Sequence, residues 1–343
     1  MRILAIFISL LVAFPCVGST EKKSFSIFLW AEAFPEWVFS EFTEETGIKI
    51  WPTFFSNEGT LADKFSQFPE NYDLIECSNS FVFQNFIEAG LVEKIDPSLY
   101  PFLGDLDPQI TSKLGEPGNQ YMLPYVWGSL LLAVNTGNIK EGTIKGFADL
   151  WAPNLKGRII IPDDLRSVLS FTLISQGFSP NDQDLTHWKA SIDKLEQLIT
   201  SSTVIRTNSL DALIDGEISV AVNWNGAILE AVQRNAALKA IEPQEGTVLW
   251  VDGFFISQQA KNKEAAYEFL KFIFRPDICA RITEDTLYAT SNSQAKKYLP
   301  DSIVNNALIY PSPKVMETSE LEKNLPHLIE MQQEWIKLRS RTN

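Results

Sequence analysis

Between residues 24 and 90 the chain alternates short β-branched and aromatic runs with helical ones, and this alternation restricts the fold more than any other feature. Residues 26–30 read as a strand, 36–46 as a helix closed by Gly47, and 48–55 as a second strand. Residues 60–68 form a further helix, 72–77 a third strand, and 81–89 a helix that Gly90 ends. Strands separated by helices pair in parallel with helices on both faces. Sheets of that kind bind ligands beyond the carboxyl ends of their strands, where Trp30 and Ser78 stand.

The same pattern recurs after an apolar run. Residues 121–134 read as a strand crossing out of the first unit. A second α/β unit follows: a helix near 146–150, a strand at 158–161, helices at 165–173, 185–199 and 209–215, and a strand at 218–222. Residues 250–256 are the return crossing, 263–274 an amphipathic helix with Ala266, Phe269, Leu270 and Ile273 on one face, and 321–338 a terminal helix. The expected fold class is therefore α/β. Two lobes, each a parallel or mixed sheet flanked by helices, are joined by crossed strands, with a cleft where the strand ends face each other. Lobe one takes residues 20–132 and 250–300, and lobe two takes 133–249 and 301–343.

Residues 1–19 read as a targeting segment. Arg2 is the positive start, 3–14 the apolar stretch, and Cys16-Val17-Gly18-Ser19 the small residues of a cleavage site. The apolar stretch is too short to span a bilayer. A periplasmic protein, exported and then cleaved after Gly18 or Ser19, is expected. The chain carries 43 acidic against 29 basic residues, and cleavage deepens that excess because it removes Arg2 and no acid. Nucleic acid and anionic membranes are poor partners for such a balance, whereas a cationic ligand is attracted by it. The 2 histidines make a histidine-rich metal site improbable, and no cofactor is expected. Cys77 and Cys279 remain after cleavage, too few for a disulfide scaffold.

The stretch 247–256 sets a single carboxylate inside an apolar strand. Trp250 and Asp252, two apart, share a face of an extended chain. An indole beside a carboxylate suits an organic cation; it equally suits a core tryptophan beside an Asp bonded to backbone amides. Three further aromatics stand at junctions of strand and loop: Trp30, Trp224 before a turn at 225–226, and Tyr288 in a polar loop. Asp163 and Asp164 end a strand and begin a helix, so that one can be an N-cap and the other face the cleft. Paired carboxylates also suit acid–base work on a sugar, but no nucleophile elbow, zinc motif or phosphate loop accompanies them.

Several stretches together resemble the spermidine/putrescine-binding periplasmic proteins that feed ABC transporters. They are Phe42-Thr43-Glu44-Glu45-Thr46-Gly47-Ile48-Lys49, Tyr72-Asp73-Leu74, Glu93-Lys94-Ile95-Asp96 and Leu123-Pro124-Tyr125-Val126-Trp127-Gly128. Further on come Ala148-Asp149-Leu150-Trp151, Pro162-Asp163-Asp164-Leu165-Arg166, Trp224-Asn225-Gly226, Trp250-Val251-Asp252 and Ala260-Lys261-Asn262-Lys263-Glu264. The resemblance covers nearly all the chain after residue 19. It implies a monomeric receptor that takes a small amine from the periplasm to a membrane ABC permease. Trp30, Trp224, Trp250 and Tyr288 are similar to the family's aromatic wall, Asp164 and Asp252 to its carboxylates, and Ser78 to its polar contact.

The departures from that pattern bear on the ligand. Ala31 and Ala33 stand where a hydroxyl residue and an aromatic are usual, Ser80 replaces an aromatic, and Ser167 replaces a glutamate that meets a terminal amine. A polar contact near the C-terminus falls on Leu321, beside Glu322. Losing a carboxylate removes a charge-assisted hydrogen bond of about 1.5–3 kcal/mol. Either Glu32 or another acid substitutes for it, or the pocket prefers a shorter or differently charged amine. Other outcomes are a different small solute on the same scaffold (an amino acid, a thiamine-like cation or a metal chelate), a secreted enzyme using Asp163 and Asp164, or an interaction protein that no longer transports.

Overall fold

The computed structural model describes residues 23–31, 34–79, 81–115, 118–199, 204–205, 210–323, 325 and 328–340. The expected targeting segment lies outside the described residues, as do Glu32, Ala33 and Ser80. The first unit follows the alternation of its sequence: β1 (Ser24–Trp30), α1 (Trp37–Thr46), β2 (Lys49–Phe55), α2 (Glu58–Gln67), β3 (Leu74–Ser78) and α3 (Phe81–Glu88). β2, β1 and β3 are parallel neighbours. One face of this sheet carries Phe25, Ile27 and Leu29, packed on Val38 and Phe42 of α1. The other carries Phe28 and Ile75, packed on Leu61 and Phe65 of α2. Alternate residues of one strand thus serve two cores.

After α4 (Pro108–Leu114) comes β4 (Leu123–Asn135), 13 residues that are buried without exception. The second unit holds β5 (Ile159–Ile161), α5 (Leu165–Ile174), α6 (Leu185–Leu198), β6 (Val204–Ile205), α7 (Asp211–Ile214), β7 (Val220–Trp224), α8 (Asn225–Arg234) and β8 (Leu238–Ile241). β9 (Val248–Ile256) returns to the first unit and is followed by α9 (Lys263–Ile273), α10 (Pro276–Thr286) and β10 (Ala289–Thr290). The chain closes with α11 (Asp301–Val304), α12 (Pro313–Thr318), β11 (Glu320–Leu321) and α13 (Leu328–Arg339).

The strand order is β2-β1-β3-β9-β4-β7-β5-β6, with β10 and β8 on β4 and β11 on β9. The flanks are parallel (β2, β1 and β3; β7, β5 and β6), whereas every pairing of β3, β9, β4 and β7 in the middle is antiparallel. β4 belongs to both halves: residues 123–129 pair with β9 and residues 130–135 with β7 and β8. A strand used twice has no solvent face, which is why its sequence shows no polar alternation.

Three local expectations are corrected. The turn expected at 225–226 is the first turn of α8, because Asn225 and Gly226 continue from β7 straight into helix. α10 went unread since Pro276 marks the end of α9; that same proline occupies the first turn of the next helix, where its missing N–H costs nothing. The terminal helix begins at Leu328, and Glu320–Leu321 pairs with β9 instead. The segment after 300, expected in lobe two, has contacts on both sides: Ile303, Val304 and Tyr310 pack on Cys279 and Ala280 of α10. Leu325 and, from α13, Met331, Trp335 and Leu338 join the core of the second unit, and Leu308 packs against its cluster of Leu131 and Ile160. Cys77 and Cys279 are both buried free thiols.

Asp73 fastens the first unit together. Its carboxylate accepts from the Ser26 amide at 2.8 Å and from the amides of Lys261 and Asn262 at 2.7 and 2.8 Å. Burial alone would raise its pKa, but these donors outweigh burial and hold it below the ordinary carboxylate value. Its stabilising contribution is therefore present above the unfolded-state value of about 4 and fades as pH falls through the lower native value. Asp73→Ala leaves several N–H groups unpaired at the start of α9. It is expected to lower the free energy of unfolding by about 3 kcal/mol, read from urea denaturation; a loss below the error of the extrapolation would show that water replaces the carboxylate.

Candidate functional site

The site grows from β9. Trp250 and Asp252 lie on one face of the strand, and the antiparallel register puts Ser78 of β3 opposite Asp252 and Gly128 of β4 opposite Trp250. Ser78 Oγ donates to Asp252 Oδ1 at 2.5 Å. Around Trp250 stand Trp224, with ring centroids 6.1 Å apart, and Tyr288, with centroids 4.8 Å apart, both edge-to-face. Three of the four expected aromatics and both expected groups at the end of β3 and in β9 therefore meet.

Close backbone approach makes this cluster possible. A Cβ on Gly128 would stand 2.8 Å from Cζ2 of Trp250, and one on Gly226 would stand 2.5 Å from the Tyr288 ring. Asn225 ties the parts: its Oδ1 accepts from the Ser129 amide at 3.2 Å, and its Nδ2 donates to the Leu287 carbonyl at 3.2 Å. Leu287, just before Tyr288, has φ of 58°, a left-handed conformation that few side chains adopt. The polar loop thus aims Tyr288 through a strained cap on α10.

Trp30 is placed differently. Its ring packs on Phe55, with centroids 4.4 Å apart, against the core under α2 and α3. Its backbone N–H donates to Glu76 Oε2 at 3.1 Å. The indole nitrogens of both Trp30 and Trp250 are buried without a partner among the described residues. Glu32 lies outside the described residues.

On the facing unit, Asp164 is the N-cap of α5. Its Oδ2 accepts the Ser167 amide at 2.7 Å and also the Ser167 hydroxyl. Asp163 pairs with Arg339 at 2.8 Å. Both carboxylates thus have structural partners. Among the described residues, no group of three or more His, Cys, Asp and Glu could hold a metal.

Two acids come forward that the sequence reading touched lightly or missed. Glu322 follows β11, whose parallel register with β9 carries it beside Trp250. Its carbonyl accepts from Asn79 Nδ2 at 3.1 Å and its Oε1 from Ser170 Oγ of α5 at 2.9 Å, so that it spans from one unit to the other. Burial pushes its pKa up to about 7, although Arg166 nearby pulls the other way. The second is Glu76, buried in β3 on the same face as Ser78. Alternation in the run Leu74-Ile75-Glu76-Cys77-Ser78, with one acid in an apolar strand, was the available signal, the same one that drew attention to Asp252. Burial raises the pKa of both Asp252 and Glu76, and Asp252 raises Glu76 further.

Two outcomes follow. Gly128→Ala drives a methyl into the Trp250 indole and is expected to cost about 1–3 kcal/mol and to quench or shift the tryptophan emission, measured on one sample by thermal unfolding and fluorescence. Glu322 holds its proton more tightly folded than unfolded. The stability it adds is present below about pH 4 and is lost as pH rises towards about 7. The ligand-free melting temperature should therefore fall over that range, and Glu322→Gln should flatten the fall; a parallel pH profile in the variant would refute the raised value.

Comparison with known proteins agrees with this architecture. The family model for bacterial extracellular solute-binding proteins matches residues 37–310. The spermidine/putrescine-binding periplasmic protein of Salmonella typhimurium is 31% identical over 310 residues, covering 90% of this chain and 88% of the relative. Protein 1 of the same name from Haemophilus influenzae is 32% identical over 312 residues, covering 90% and 86%. Among solved structures, a putative spermidine/putrescine ABC transporter protein of Listeria monocytogenes superposes with a TM-score of 0.84 at 27% identity, covering 92% of this chain and 99% of its own. The substrate-binding protein PotD of Streptococcus pneumoniae, at 24% identity, shares the fold with a TM-score of 0.82, covering 94% and 100%. The chain belongs to the bacterial extracellular solute-binding proteins, and within them to the spermidine/putrescine-binding group.

Proposed function

We propose that this chain is an exported receptor that captures a polyamine or related amine between its two units and delivers it to an ABC permease. One observation carries the reading: Asp252 lies half-buried beside Trp250, with Trp224 and Tyr288 completing an aromatic wall, and makes no ion pair among the described residues. Such a carboxylate awaits a cation, and indole and phenol rings suit both the methylene chain and the charge of an alkylammonium ion. The acidic balance of the chain and the names of its relatives support the same ligand class.

The lobes that would close on the amine are assigned by packing: β1–β3 with α1–α3, α9 and α10 on one side, and β5–β8 with α5–α8 and α13 on the other. β4 and β9 are the crossings. Closure is favoured only as far as the ligand touches both sides. Asp252 serves the first lobe. On the second, Trp224 supplies a ring, and Glu322, hydrogen-bonded to Ser170, supplies a carboxylate near the place where Ser167 replaces the usual glutamate. Asp164 acts there as the cap that orients α5, with its charge close to Glu322.

Titration calorimetry of the ligand-stripped protein with putrescine, cadaverine, spermidine and spermine tests the reading, with neutral and anionic controls alongside. Binding of one amine at micromolar strength or tighter is expected, together with a loss of about tenfold or more in Asp252→Asn while the ligand-free melting temperature stays near that of the parent. Heat with a neutral or anionic control and none with any amine would assign the scaffold to another solute.

A further inference from the structure

Glu76 has no place in the reading above, and its position is unusual. It is 2% exposed, in the middle of a sheet, and makes no ion pair among the described residues. The register of β3 against β9 pairs Ser78 with Asp252 and Glu76 with Phe254. Glu76 and Asp252 are thus diagonal neighbours on one face, a spacing at which long side chains meet. Two carboxylates so placed, Glu76 buried and Asp252 half-buried, cannot both be ionised cheaply, since each charge destabilises the other and neither is fully solvated. The other titratable groups that bear on the pair are Cys77 of β3, Tyr125 of β4 and, through Cys77, Glu58 of α2; none is a cation. The Tyr125 hydroxyl is itself buried with no partner among the described residues, although the tyrosine is only 1% exposed. The Trp250 indole nitrogen, on the same face as Asp252, is likewise unpartnered. Excess anionic and polar capacity therefore gathers at one end of the aromatic wall.

We propose that Glu76 is a second anionic ligand of this site, forming with Asp252 a paired carboxylate well that selects a primary ammonium group with several N–H donors. The inference rests on the amine reading above. In the empty well the two acids share one proton. An entering ammonium brings the positive charge that lets both ionise, and the displaced proton passes to the buffer. Amine capture is then coupled to proton release, with one further consequence. Below the raised titration range of the pair the ammonium must compete with bound protons, so that affinity falls as pH falls. A bulkier quaternary or fully substituted nitrogen, which cannot donate to two carboxylates, is disfavoured.

The rival role is a protonated glutamic acid that merely caps the Trp30 amide at the end of β1. Calorimetry of the full chain with putrescine and spermidine separates the two. It is run near pH 6 and near pH 8 in buffers of low and high ionisation enthalpy, whose heats differ by the number of protons released. The parent protein is expected to release close to one proton per amine at the lower pH and fewer at the higher. Glu76→Gln keeps the shape and the bond to Trp30; it should weaken both amines about ten- to a hundredfold and lose most of the release. Its ligand-free melting temperature should match or exceed that of the parent. A variant that binds and releases protons as the parent does would overturn the well while leaving the receptor reading intact. Should the variant not fold, the parent decides alone: amine binding without proton release at either pH overturns the proposal. A parent that binds none of these amines overturns the receptor reading, and the well with it.

Discussion

The antiparallel contact between β4 and β9 is the constraint on which the rest depends. β4 serves both halves of the sheet network and β9 carries Trp250 and Asp252, so their register fixes the site and the connection between units in one set of hydrogen bonds. Gly128 opposite Trp250 and Ser78 opposite Asp252 are consequences of that register. Beneath it, Leu249 and Val251 point to the other face and pack with Trp127, Leu229 and Leu321, drawn from both units. One strand thus presents the Trp250 and Asp252 cluster on one side and an apolar joint on the other, which the period of two in an extended chain makes possible.

The electrostatics of the cleft follow from unequal solvation. Glu322 has Arg166 nearby and a hydroxyl partner in Ser170, whereas among the described residues Asp252 has Ser78 and Glu76 the Trp30 amide as donor. The donors around Asp73 show the contrast. There a buried carboxylate is held ionised by main-chain N–H groups and serves the fold. At Asp252 and Glu76 the donors are fewer, so that burial wins and raises the pKa of both acids. The same chemistry of burial yields a structural clamp in one place and an unsatisfied site in the other, and the count of donors decides between them.

The elements of the first unit were legible to within a few residues because period, caps and terminating glycines agree there. Legibility failed where one residue type carries two meanings. Pro276 stops α9 and starts α10, and Asn225-Gly226 reads as a turn while continuing into α8. The group of Trp224, Trp250, Tyr288, Ser78 and Asp252 was drawn from residues at strand ends, helped by resemblance to a known family, and these side chains do converge. Trp30 was drawn in on the same grounds, but strand alternation turns its ring towards Phe55. Glu76 went unread since a lone acid in a five-residue strand carries no information about what lies across from it.

The sequence by itself determined the α/β alternation, the two crossings, the acidic balance and the presence of a carboxylate two residues after a tryptophan in an apolar strand. These depend on periodicity and composition, which are local. Only the tertiary structure decided that Asp164 caps α5, that Asp163 is paired with Arg339, that Glu322 reaches from the end of β11 to Ser170, and that Glu76 stands diagonal to Asp252. All but the cap, a contact between positions 3 apart, join residues distant in the chain. Such contacts are set by strand register and burial, and no local pattern encodes which acid will find a donor and which will be left without one.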